Sequence, residues 1–274
     1  MTGTINDAWT FAVTYLELLF EEQVLASGSG FFWQIGDEKF LVTNWHNLAG
    51  RDPITRIPLS NTACLPDRLR FVEYIRGNTK DDGSTYQIDV RQITLPLFKD
   101  YPFQSLWYEH PVHGSAVDVA VLPVPVDILS PDTLLLSAQS LESDCIKPPF
   151  VTQDVYVIGY PLGIISGLPT PIWKRATIAS EPLIDPQGLP KVLVDTATRQ
   201  GMSGSVAITQ TFQVGPYPKK DGTDSNTLMA ITREILGVYS GRIGASALEA
   251  QLGIVWKKHV IDEIINGMVT IDNN

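Results

Sequence analysis

Three residues could act together on a substrate. His46 closes the segment Leu41-Val42-Thr43-Asn44-Trp45-His46, so its ring is expected to emerge where a strand ends, as a general base. Asp118 stands among apolar neighbours in Val117-Asp118-Val119-Ala120-Val121-Leu122. A buried carboxylate is costly unless something donates hydrogen bonds to it, and a histidine N–H is a suitable donor. Ser203 lies in Gln200-Gly201-Met202-Ser203-Gly204-Ser205. A nucleophilic hydroxyl needs a tight turn that exposes its oxygen while backbone N–H groups converge on a developing oxyanion. Each signal alone is weak, but their order through the chain spreads one site over two halves, and clefts form preferentially at such junctions.

The elements that must hold these residues read mainly as strands. The chain has 274 residues, 44% of them hydrophobic, with 21 glycines and 19 prolines. That mixture suits many short strands and turns. Runs at 13–20, 24–26, 30–33 and 40–43 are rich in β-branched and aromatic residues, although residues 6–20 also match a helical stripe through Trp9, Val13, Leu16 and Phe20. Residues 51–66 read as a loop, and 69–74 with 86–93 as a hairpin around Asp81-Asp82-Gly83-Ser84. A strand is expected over 117–126, then a Pro-containing linker, then strands near 155–158, 176–179, 192–195, 205–209 and 235–239, with an exposed hairpin loop at 215–226. In 254–267 the residues Trp256, Val260, Ile261, Ile264 and Ile265 repeat with helical spacing, and Gly267 is placed to end a helix. The reading is an all-β protein of two packed six-stranded antiparallel β-barrels with a C-terminal α-helix. Its divisions are 1–126, carrying the histidine and aspartate; 127–150, a linker; 151–253, carrying the serine; and 254–268, the helix.

Composition excludes some roles. Twenty Lys and Arg against thirty Asp and Glu give a net charge of −10, a field that repels nucleic-acid phosphates and anionic membrane surfaces. No apolar run approaches the roughly 20 residues that cross a bilayer. The opening lacks the basic and apolar pattern of a leader, and Cys64 and Cys145 have no CxxC spacing, so a cytoplasmic, reducing location is expected. No metal or other cofactor is expected: His110 and His113 could pair as ligands, but Pro111 between them and the lack of a nearby third ligand favour a loop.

With these motifs in place, the sequence resembles the trypsin-like (chymotrypsin-fold) serine peptidases, in their cysteine-poor bacterial form. The resemblance covers most of the chain. It rests on Gly28-Ser29-Gly30-Phe31 leading to His46, on the Asp118 segment, on Gly201-Met202-Ser203-Gly204-Ser205, and on Gly237-Val238-Tyr239-Ser240-Gly241. It implies an endopeptidase in which Ser203 attacks the scissile carbonyl, His46 shuttles the proton and Asp118 stabilises the imidazolium. The N–H groups of Gly201 and Ser203 would form the oxyanion hole. Tyr239, Ser240 and Gly241 would pair with a peptide or protein substrate, Ala197 and Thr198 would help shape the pocket before the cut, and Ser240 would also bond Asp118. Two departures matter. Met202 replaces the aspartate that trypsin uses for activation, and Ala197 replaces the carboxylate that selects Arg and Lys. Latency relieved by a regulatory protein partner is therefore an expectation, with a small or apolar residue before the cut. Two rivals are weighed. A catalytically silent peptide-binding module would keep the fold without turnover. An α/β-hydrolase using Ser203 with Asp221 or Asp224 and His259 would need a helix directly after the serine, where Val206-Ala207-Ile208-Thr209 reads as strand.

Overall fold

The computed structural model describes residues 5, 7–79, 86–99, 104–145, 147–163, 169–196, 201–227, 229–242 and 252–271. Six strands form an N-terminal antiparallel sheet: β1 (Val13–Phe20), β2 (Gln23–Ile35), β3 (Glu38–Thr43), β4 (Arg68–Thr79), β5 (Tyr86–Pro96) and β6 (Ala120–Val124), in the order β5-β4-β1-β2-β3-β6. Six more close a C-terminal barrel: β7 (Asp154–Gly159), β8 (Ile172–Ile178), β9 (Lys191–Asp195), β10 (Val206–Val214), β11 (Met229–Arg242) and β12 (Leu252–Lys257), in the order β10-β11-β12-β9-β8-β7. Closure removes exposed sheet edges and leaves the ends of strands as the places from which functional loops emerge.

Residues 13–20 are strand, with only a short 3-10 turn, Ala8–Phe11, before them. Val13, Thr14, Leu16, Leu18 and Leu19 are all buried, so both faces of β1 are covered. Strict alternation disappears from such a strand, and this is why a helical stripe could also be drawn through it. Thr14 is tolerated inside because its hydroxyl donates to the Val72 carbonyl at 2.9 Å and accepts from the Val72 N–H at 3.0 Å.

The C-terminal helix is shorter than its sequence suggests. The expected start at residue 254 is corrected: α2 runs His259–Gly267, and Ile254, Val255 and Trp256 belong to β12. Those residues fit a period of two as well as 3.6, and the barrel decides between them, since Ile254 pairs with Leu193 and Val255 pairs with both Val192 and Tyr239. The left-handed residue after the helix is Met268 (φ 50°), whose N–H bonds the Ile264 carbonyl, so Gly267 is not the cap. Gly267 has a packing reason instead: a Cβ there would sit 2.8 Å from the Pro111 ring.

A shared core joins the two sheets. Val13, Phe31 and Val121 of the first meet Ile158, Val206 and Val238 of the second, with Val260, Ile261, Ile264 and Ile265 of α2 closing the layer. Each sheet also has its own core, around Leu16, Phe71 and Trp107 in the first and Val157, Val194 and Tyr239 in the second. Apolar area buried continuously across the junction makes the relative placement of the two sheets part of the folded state.

Candidate active site

His46 lies in the first turn of a five-residue helix, α1 (Trp45–Ala49), directly after β3. Asp118 does not lie within a strand as expected; it stands two residues before β6, which is next to β3 in the sheet. Neighbouring strands thus bring together side chains far apart in sequence. His46 Nδ1 is 2.7 Å from Asp118 Oδ2, and the His46 backbone N–H donates to Asp118 Oδ1 at 2.9 Å. A third donor arrives from the other barrel: the Ser240 hydroxyl bonds Asp118 Oδ2. Asp118 is 4% exposed, and these three donors offset the cost of burying its charge. Asn44 ties its backbone down by donating Nδ2–H to the Asp118 carbonyl at 2.6 Å.

These contacts tune the imidazole. Burial pushes the His46 pKa down, but the charge and hydrogen bond of Asp118, with a smaller contribution from Asp52, outweigh it and hold the ring above 6.5. The Asp52 carboxyl sits below its ordinary range, chiefly because it accepts the Thr55 N–H, with the Thr55 hydroxyl and the Ile54 N–H adding to the effect.

Ser203 comes from the C-terminal half but is anchored to the N-terminal sheet. Ser29 of β2 donates its backbone N–H to the Ser203 carbonyl at 2.9 Å and its hydroxyl to the Gly201 carbonyl at 2.8 Å. The same hydroxyl accepts the Tyr160 N–H at 2.9 Å. Asn47 Nδ2 reaches the Ser203 carbonyl at 3.3 Å and the Thr43 hydroxyl at 2.9 Å. Gly201 (φ 88°) and Gly204 (φ 84°) occupy left-handed backbone, and a Cβ on Gly204 would collide with the Ser29 carbonyl oxygen. The loop therefore crosses the junction at contact distance. His46, Ser203 and Gly201 line one cavity of about 460 Å³.

A likeness of sequence agrees with this geometry. The model of the trypsin-like peptidase domain matches residues 28–214, a span containing His46, Asp118 and Ser203. The chain belongs to the trypsin-like peptidase family. No curated protein sequence matches it. Among solved structures, it is similar to the serine endoprotease from Yersinia pestis, with 13% identity and a TM-score of 0.47 over 94% of this chain and 62% of that one. It is also similar to the Rv3671c protease in its inactive form, with 18% identity and a TM-score of 0.43 over 94% and 88% of the two chains. A serine-to-alanine mutant of Rv3671c from M. tuberculosis H37Rv, likewise in an inactive form, matches with 18% identity and a TM-score of 0.42 over the same shares. The chain spans less than two thirds of the length of the Yersinia structure. The two six-stranded antiparallel sheets with a C-terminal helix are the double-barrel arrangement of chymotrypsin-fold proteases. None of the described helices is long and apolar enough to cross a membrane.

Other expected residues of this trypsin-like peptidase fall as follows. Ser240 and Gly241 occupy a bulge of β11, between the pairs Tyr239↔Val255 and Arg242↔Gly253. Gly241 (φ 96°) is so close to Ser203 that a Cβ on it would lie 3.9 Å from Ser203 Oγ. Tyr239 needs correction as a substrate-pairing residue. Its N–H donates to the Ser205 carbonyl and its carbonyl accepts the Gly204 N–H, both at 2.9 Å, while its side chain is buried in the barrel core. It braces the serine loop. Ala197 and Thr198 lie outside the described residues.

Both rival chemistries meet obstacles. Strand β10, not a helix, follows Ser203, while Asp221 and Asp224 sit in the β10–β11 hairpin loop and His259 opens α2. His110 is buried, with Nε2 2.9 Å from Glu263 and Nδ1 accepting the Val112 and His113 N–H groups, so both ring nitrogens are engaged. Among the described residues no cluster of three potential metal ligands is found.

Sequence reading missed Ser29, Thr43 and Asn47 as supports of the serine loop. One signal was available: Gly28 and Gly30 flank Ser29 and mark close backbone approach. A Cβ on Gly28 would lie 2.9 Å from Asn47 Nδ2.

Proposed function

We propose that this chain is a serine endopeptidase in which Ser203 is the nucleophile, His46 the general base and acid, and Asp118 the group that orients and stabilises the imidazolium. The observation that carries this reading is the double engagement of Asp118 by His46, through Nδ1 at 2.7 Å and backbone N at 2.9 Å, beside a cavity shared with Ser203. With Nδ1–H committed to the carboxylate, Nε2 is the basic nitrogen left for the Ser203 proton. The serine oxygen attacks the substrate carbonyl as that proton moves to Nε2. The tetrahedral intermediate then collapses, the leaving amine takes the proton from the imidazolium, and water repeats the sequence on the acyl-enzyme.

The oxyanion would be held by the N–H groups of Gly201 and Ser203, neither of which has an intramolecular hydrogen-bond acceptor among the described residues. The acyl side of the substrate would pair along Ser240 and Gly241, where the backbone bulges from its partner strand. With Ala197 in place of an acidic pocket residue, the preference before the cut is for small or apolar residues and not for Arg or Lys. The working divisions are an N-terminal unit at 1–126, a linker at 127–150 and a C-terminal unit from 151. Absence of an aspartate at Met202 supports regulation by a partner that sets the serine loop.

A fluorophosphonate probe tests the assignment. Covalent labelling of the wild type, lost in Ser203→Ala and His46→Ala, is the expected result. A folded wild-type protein that takes no label under any condition is instead a peptide-binding module.

A further inference from the structure

Four hydrogen bonds close a ring between the N-terminal sheet and the serine loop. The Ser29 N–H donates to the Ser203 carbonyl at 2.9 Å, and the Thr43 hydroxyl donates to the Ser29 carbonyl at 2.8 Å. Asn47 Nδ2 completes the ring by donating to Thr43 Oγ1 at 2.9 Å and to the Ser203 carbonyl at 3.3 Å. Ser29, Thr43 and Asn47 are all buried. The direction of the bonds is fixed. Because the Thr43 hydrogen is committed to the Ser29 carbonyl, its oxygen can only accept, and Asn47 must turn Nδ2, not Oδ1, towards Thr43 and Ser203. Room for this amide is left by Gly28 of β2. A Cβ there would stand 2.9 Å from Asn47 Nδ2 and 3.3 Å from its Cγ. Gly28 pairs with Leu16 in the ladder and is not among the glycines with positive φ, so space for the amide, and not backbone conformation, calls for glycine at this position.

We infer, on the basis of the serine-peptidase reading, that Asn47 is a positioning residue whose amide sets the separation between the base and the nucleophile. His46 and Asn47 are consecutive in α1, while the carbonyl that Asn47 grips and the attacking Oγ belong to one residue, Ser203. Among the described residues this is the one hydrogen bond that joins α1 to Ser203. The basicity of His46 has a different origin, since the groups that raise its pKa against burial are Asp118 and, to a smaller extent, Asp52. Two devices therefore act side by side: the carboxylate tunes the ring, and the amide places the serine before it. A misplacement on the order of 1 Å costs about 100-fold in rate. Without the Asn47 amide the Ser203 carbonyl still accepts the Ser29 N–H, so the displacement is smaller and a loss of about tenfold is expected.

Two substitutions break the same contact from opposite sides. Asn47→Ala removes the amide, whereas Gly28→Ala keeps it and displaces it with a methyl group that extended backbone accommodates. The full chain and these variants, singly and together, are labelled at Ser203 with a fluorophosphonate between pH 5 and 9. Rate and final extent of labelling are recorded separately, and folding is checked by denaturant unfolding. Each single variant should show a plateau rate about tenfold lower, an acid limb at the wild-type pH and full final labelling. The double variant should be no slower than the slower single one, because both changes remove one interaction. A merely structural role would instead lower the final extent of labelling at an unchanged rate. That result, a folded Asn47→Ala protein that reacts at the wild-type rate, a displaced acid limb, or losses that multiply in the double variant would each overturn the inference and leave the peptidase reading standing. A wild-type protein that takes no label defeats the peptidase reading, and the positioning role falls with it.

Discussion

Replacing Asp118 with Asn separates the charge of the carboxylate from its shape. The native carboxylate accepts three donors: the His46 ring, the His46 backbone N–H and the Ser240 hydroxyl. An asparagine of the same shape has one acceptor oxygen and an NH2 group. If that oxygen keeps the His46 backbone N–H, the NH2 group faces Nδ1, which must then be unprotonated, and the ring proton moves to Nε2, where the base is needed. Loss of on the order of 10⁴ in rate is expected, about 5.5 kcal/mol of barrier at 1.36 kcal/mol per decade. The pH dependence changes as well. In the wild type, burial lowers the His46 pKa and Asp118 more than restores it, so the rate rises with pH through a value above 6.5. Without the carboxylate charge, burial is opposed only by Asp52, and the acid limb should move below 6.5. The assay is the second-order rate of Ser203 phosphonylation between pH 5 and 9, which requires no knowledge of the natural substrate. An Asp118→Asn protein that reacts within tenfold of wild type, or keeps the same acid limb, would refute the proposed coupling of carboxylate, ring and serine.

Further outcomes follow from neighbouring contacts. Asp52→Asn should move the acid limb of wild-type labelling slightly downward, because Asp52 adds to the elevation of His46, and the shift should shrink in high salt. Ser29→Ala should lower stability by about 1–3 kcal/mol in denaturant unfolding, since the Tyr160 N–H and the Gly201 carbonyl both lose a buried partner. It should also slow Ser203 labelling, because the Gly201–Met202 peptide, which joins the two proposed oxyanion donors, loses its anchor. His110 offers a stability test: burial holds its pKa below 6.5 despite Glu263, and His113 and His259 add to the depression. Its neutral form stabilises the fold fully above about 6.5, and that contribution declines as pH falls towards the lower folded value. The difference in Tm between wild type and His110→Gln should therefore be largest near pH 8 and shrink at pH 5; a constant difference would count against a neutral, doubly bonded ring.

Much of the chemistry could be read from residue types and order. His46 after a β-branched run, Asp118 among valines and Ser203 between glycines each violate a local packing expectation, and such violations concentrate where function overrides packing. Strands with one exposed face were legible for the same reason, because alternation carries the signal. Where both faces are covered, as in β1, or where apolar residues satisfy two periods, as at Ile254–Trp256, local pattern is degenerate and neighbouring strands decide. Sequence order could not distinguish Tyr239, whose backbone groups are consumed by Gly204 and Ser205, from Ser240 and Gly241 beside it; that division arises from a bulge in β11.

The amino-acid sequence by itself determined which side chains can exchange protons and that the chain is mainly β. Tertiary structure alone decided that Ser29 of the first sheet carries the serine loop of the second, that Asn47 reaches the Ser203 carbonyl, and that a cavity opens on one side of the base. Those features depend on distances between segments remote in sequence. Such distances are set by how two sheets and a helix share one core, and no local propensity encodes them.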